Sequence, residues 1–93
     1  MSENIRAHLS ISGVVQMVGF RYFTVRLAND YGLTGWVRNT PDGNVEIEVE
    51  GDKGLVVEFI REVQIGPPSA KVTALDVQWE EHTGKYKDFR VRF

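Results

Sequence analysis

Residues 5–32 read IRAHLSISGVVQMVGFRYFTVRLANDYG, and the period of the apolar residues changes once along this stretch. Ile5, Ala7, Leu9 and Ile11 alternate with Arg6, His8, Ser10 and Ser12. In an extended chain, alternation sends the two sets to opposite sides, so the spacing predicts a strand with one buried face, ending at Gly13. From Phe20 the apolar set is Phe20, Phe23, Leu27, Ala28 and Tyr31. Steps of three and four trace one stripe of an amphipathic helix. Gly32 stops it, because glycine takes the left-handed conformation without a Cβ clash.

The rest of the chain follows the same logic. Leu33, Gly35 and Val37 predict a second strand ending near Asn39. Thr40-Pro41-Asp42-Gly43 is a tight turn: Pro presets φ, Asp bonds local backbone and Gly tolerates positive φ. Val45, Ile47 and Val49 alternate with Glu46, Glu48 and Glu50, a third strand with an acidic outer face expected to lie in solvent. Val56, Phe59, Ile60 and Val63 have helical spacing, with Asp52 as N-cap and Gly66-Pro67 as stop. A fourth strand spans Lys71 to Trp79, with a phase shift between Val72 and Leu75 of the kind a bulge produces. Phe89, Val91 and Phe93 close the chain as a short fifth strand. The order β-α-β-β-α-β plus a short strand predicts one α+β domain over residues 1–93. It is a ferredoxin-like split β-α-β sandwich, with an antiparallel sheet and both helices on one face.

The crossover topology has a functional consequence. The first and second strands run parallel, so their C-terminal ends share one edge of the sheet. The loop Gly13–Gly19 leaves the sheet there, and Asn39 ends the second strand there. The loop leads straight into a helix, whose first-turn N–H groups lack intrahelical partners and carry partial positive charge. That junction is an anion site. Arg21 in the first turn runs against the helix dipole, so its placement serves something other than helix stability. A guanidinium fork beside backbone N–H groups makes a phosphate cradle. Asn39 can orient a water, because an amide both donates and accepts hydrogen bonds.

Composition narrows the classes. The 93 residues are 42% hydrophobic and 26% charged, in the range of ordinary globular proteins. Cysteine is absent, which removes disulfides, thiolate chemistry and Cys-based metal sites, and suits a reducing cytoplasm. No apolar run reaches the ~18 residues of a membrane span, and Met1-Ser2-Glu3-Asn4 lacks the features of a signal peptide. Net charge is −2, with a pI of about 5.6, whereas nucleic-acid-binding domains usually exceed pI ~9. Gly19-Phe20-Arg21-Tyr22-Phe23 has helical period and does not form the aromatic strand of an RNA-recognition motif. His8 and His82 have no ligand spacing between them, and Ser10 and Ser12 no partnering base, so neither a metal site nor serine hydrolysis is expected.

Two stretches carry a resemblance. Gly13-Val14-Val15-Gln16-Met17-Val18-Gly19-Phe20-Arg21 resembles the acylphosphatase signature G-x-V-Q-G-V-x-F-R. Gly35-Trp36-Val37-Arg38-Asn39-Thr40-Pro41-Asp42-Gly43-Asn44-Val45, followed by Gly51, resembles the second signature of that family. Gly66-Pro67-Pro68-Ser69-Ala70 is also typical. The resemblance covers essentially the whole chain. It implies hydrolysis of acyl phosphates, the mixed anhydrides of carboxylic and phosphoric acids, without metal or cofactor. By carry-over, Arg21 and the amides of Val15, Gln16, Met17, Val18, Gly19 and Phe20 bind the phosphoryl group, and Asn39 positions the attacking water. The implied partners are the small-molecule substrate and inorganic phosphate, as product and inhibitor. A cytoplasmic monomer that binds neither nucleic acid nor membrane is expected.

One position departs from the signature. Met17 stands where the family has glycine. If the loop requires positive φ there, methionine costs about 1–2 kcal/mol or shifts the amide donors. The alternative reading that follows is an acylphosphatase-like module that binds phosphate or carbamoyl phosphate with weak or no turnover.

Overall fold

Ala7, Leu9 and Ile11 are fully buried, as their alternation requires, and they belong to the main hydrophobic core. The computed structural model describes residues 3–93. Its elements are β1 (Asn4–Val14), α1 (Phe20–Tyr31), β2 (Thr34–Asn39), β3 (Val45–Asp52), α2 (Lys53–Ile65), β4 (Lys71–Glu80) and β5 (Phe89–Val91). The strands lie in the order β4-β1-β3-β2-β5. β3 pairs antiparallel with both β1 and β2, opposing Leu9 to Ile47 and Ile47 to Val37. β1 and β2 are therefore parallel, with β3 between them.

The helices supply the other half of the core. In α2, Val56, Phe59 and Val63 are fully buried, and Phe59 alone contributes about 1.5–3 kcal/mol by leaving water. Asp52 caps this helix, its carboxylate accepting from the Leu55 amide at 3.1 Å. In α1 the innermost residues are Phe20, Thr24 and Ala28, while Phe23, Leu27 and Tyr31 are half-buried. Thr24 was not in the expected apolar stripe. It tolerates burial because its hydroxyl donates to the Phe20 carbonyl at 2.8 Å. Gly32, at φ 68°, closes the helix as expected.

The phase shift in β4 is a bulge. Ser12 opposes Ala74 and Gly13 opposes Val72, so Thr73 has no partner residue in β1. Gly13 makes this possible: at its φ of 125°, a Cβ would lie 2.1 Å from the Lys71 carbonyl oxygen.

Two expectations need correction. The sheet is mixed, because β5 pairs parallel with β2, Gly35 opposite Phe89 and Val37 opposite Val91. β4 runs against β2, so a chain that turns back after β4 must run with β2 when it reaches that edge. The acidic face of β3 is not all in solvent either: Glu48 is 9% exposed and Glu50 1%. Residues 81–88 cross this face on their way to β5. Glu50 accepts hydrogen bonds from the Thr83 amide (2.9 Å), the Thr83 hydroxyl (2.6 Å) and the Gly84 amide (2.9 Å). Glu48 accepts from Tyr86 Oη and from Arg6. A buried carboxylate without such donors would be strongly destabilising.

Desolvation pushes the Glu50 carboxyl upward, but the bonds from Thr83 and Gly84 and the charge of His82 outweigh it and hold it below its ordinary 4.5. A lowered folded-state value means that this stability is present above about pH 4.5 and is lost as pH falls through the depressed value. Glu50→Gln is expected to cost about 1–3 kcal/mol at neutral pH in urea unfolding. It should also make stability less steep in pH below 4.5, and an unchanged acid limb would refute the assignment.

Candidate functional site

Val14 to Gly19 connect the end of β1 to the start of α1. Val15 is buried and anchors the loop to the core. Beyond it the sign of φ alternates. Met17 has φ 62° and Gly19 φ 79°, and among the described residues no other non-glycine residue has positive φ. Gln16, Val18 and Phe20 between and beside them are therefore on the negative side. Alternating handedness is the backbone pattern of a nest, in which successive N–H groups turn toward one concave centre. Gly19 is the N-cap of α1, with no side-chain cap bond and no acidic residue in the first turn, so no carboxylate of the helix competes for these amides.

Met17 thus takes the conformation that a glycine would take. The cost of holding a methionine there is strain of about 1–2 kcal/mol. Its side chain has nothing to pack against and is 100% exposed.

Arg21 and Asn39 line the same cavity, of about 380 Å³, together with Val15, Met17, Gly19 and Phe20. Topology brings them together: α1 starts and β2 ends on the same rim. Arg21 is half-buried, and among the described residues no carboxylate lies within ion-pair distance of it. Its guanidinium carbon lies 5.7 Å from the Phe93 ring centroid, a cation–π contact that leaves its charge unpaired by any carboxylate. Asn39 Oδ1 is buried without a hydrogen-bond partner. An orphaned amide oxygen costs about 1–3 kcal/mol, and this one belongs to a residue that lines the cavity.

Gln16 and Val18 contribute no side chain to the cavity. Val18 packs against the core. The Gln16 side chain reaches across the rim, and Nε2 donates to the carbonyl oxygens of Thr40 (2.8 Å) and Asn44 (2.9 Å). It ties the loop to the turn that follows Asn39. That turn is closed by Thr40 N to Asn44 O at 2.9 Å and Gly43 N to Thr40 O at 3.1 Å. Sequence reasoning treated Gln16 only as an amide donor. It also passed over Tyr22, Val25, Val91 and Phe93, which line the same cavity. Gln16→Ala leaves two carbonyls with one fewer donor each. A loss of about 1–2 kcal/mol is expected in urea unfolding, with faster hydrogen exchange at residues 15–20 and 40–44. Unchanged exchange in both segments would remove the clamp.

Known proteins share this sequence pattern and fold. The acylphosphatase family model matches residues 7–91. An acylphosphatase of Pyrobaculum islandicum is 47% identical over 90 residues, covering 96% of this chain and 95% of the relative. The crystal structure of acylphosphatase from Bacillus subtilis superposes with a TM-score of 0.93 at 35% identity, covering 96% of this chain and 99% of that one. Full-length HypF, in a phosphate- and nucleotide-bound form, contains a similar unit: TM-score 0.86 and 33% identity, over all of this chain and 12% of that one. With matching sequence signatures, fold and relatives of its own length, the chain belongs to the acylphosphatase family.

Proposed function

We infer that the chain is a hydrolase of acyl phosphates, releasing a carboxylate and inorganic phosphate. The observation that carries the reading is that Arg21, Asn39 and the loop of alternating φ meet in one cavity. The amides of Val15 to Phe20 and the Arg21 guanidinium hold the three phosphoryl oxygens and neutralise the charge on them, which is most of what phosphoryl transfer asks of a protein. Asn39 Oδ1 accepts from a water aligned opposite the bridging oxygen. The water oxygen bonds to phosphorus as the bond from phosphorus to the acyl oxygen breaks, and the electron pair leaves on the carboxylate. A carboxylate is a good leaving group, so no general acid is required. No His, Asp or Glu lines the cavity, and the water's proton passes to a phosphate oxygen.

The reading as a binding module without turnover has nothing in its favour. It rested on Met17, and Met17 takes the conformation that a glycine would take. The same reading extends to one domain over residues 1–93, acting as a monomer in the cytoplasm on a small molecule and not on nucleic acid. A composition free of cysteine and a net charge of −2 support it. No described helix is long and apolar enough to cross a membrane.

Benzoyl phosphate in excess EDTA tests the chemistry. Metal-independent loss of the acyl phosphate is expected, with competitive inhibition by inorganic phosphate. Arg21→Ala and Asn39→Ala should each lower kcat/KM by at least about 10²-fold, the scale of removing one transition-state donor. Full activity in either variant would displace that residue from its role. Met17→Gly relieves strain that the folded chain carries with or without substrate, so the gain is expected in stability, up to about 1 kcal/mol in urea unfolding, with kcat/KM for acetyl phosphate little changed. An unchanged or lower stability would refute the strain argument.

A further inference from the structure

We propose that the apolar side of the cavity is an acyl-group subsite, in which Tyr22 and Phe93 favour substrates with longer apolar acyl groups. The inference rests on the hydrolase reading above and names the substrate class of the same site. Bare phosphate needs only the loop amides and Arg21, yet most of the cavity wall is hydrocarbon, with Val25, Val91 and Phe93 continuing it away from the nest. Met17, Tyr22 and Phe93 are 100%, 72% and 101% exposed, so none of them serves the core. Large exposed apolar side chains gathered at one opening mark a ligand surface.

The occupant follows from covalent structure. In an acyl phosphate a single oxygen joins phosphorus to the acyl carbon. Once the phosphoryl group sits on the loop and Arg21, the acyl chain begins inside the cavity and must run along its wall. The Phe93 ring stands beside the Arg21 guanidinium, 5.7 Å from centroid to carbon, and so lies next to that path. At about 380 Å³ the cavity is near the small end of ligand sites, with room for a phosphoryl group and a short chain.

Acetyl, propionyl, butyryl and hexanoyl phosphate form the test series. Their carboxylates are of near-equal basicity, so the chemical step is held constant while apolar length grows. In the unaltered protein kcat/KM is expected to rise roughly two- to fourfold per methylene over the first few, the upper figure being full burial. Tyr22→Ser and Phe93→Ala should each flatten the series, reducing the hexanoyl-to-acetyl ratio by about tenfold. The ratio cancels any effect on the Arg21 cradle, because both substrates carry the same phosphoryl group. A flat series in the unaltered protein overturns the proposal, as does a rising series that both variants leave steep. No turnover of acetyl phosphate at all would strike the hydrolase reading itself, and the subsite with it.

Discussion

β3 lies between β1 and β2 and hydrogen-bonds to both, and from that one arrangement the site follows. Because both pairings are antiparallel, β1 and β2 point the same way and finish on the same rim. The loop after β1 and the residue that ends β2 become neighbours, although 20 positions separate Gly19 from Asn39. Gln16 converts this proximity into a fixed geometry through its bonds to Thr40 and Asn44. Backbone donors from one segment and a carboxamide from another are then held against a common cavity by the sheet itself.

Charge is sorted in keeping with this. The chain is net acidic, yet no acid lines the cavity. The acidic residues of β3 are engaged on the opposite face of the sheet: Glu46 by His8 and Arg38, Glu48 by Arg6 and Tyr86, Glu50 by Arg6, Thr83 and Gly84. Arg21 is the guanidinium among the cavity's lining residues, and its contact with an aromatic ring leaves its charge uncancelled. The cavity thus presents a positive charge on a net-negative chain.

The elements were legible because each has an unmistakable period. Alternation from Ile5 to Ile11 and three-four spacing from Phe20 to Tyr31 can each be satisfied by one kind of backbone. The positive φ at Met17 was legible through the glycine of the family signature. What escaped has a common cause. Residues 81–88 have no period, so nothing in them announced that they would cover Glu48 and Glu50. The direction of β5 depends on which edge it joins, a property of the whole sheet. Thr24 reads as polar until its hydroxyl bonds the preceding turn, and the clamp made by Gln16 needs partners 24 and 28 residues away. Long-range partnerships leave no local mark.

The unpaired Thr73 has a further consequence, for encounters between molecules. β4 is an outer strand ten residues long, so one row of its backbone groups has no neighbour within the sheet. A straight, apolar edge of that length would be a template on which another chain could stack. The bulge twists this edge near its start, and Lys71, Asp76 and Glu80 place charges along it. The glycine that makes room for the irregularity at the nest's doorstep thereby also helps to keep the sheet from growing sideways into a fibril.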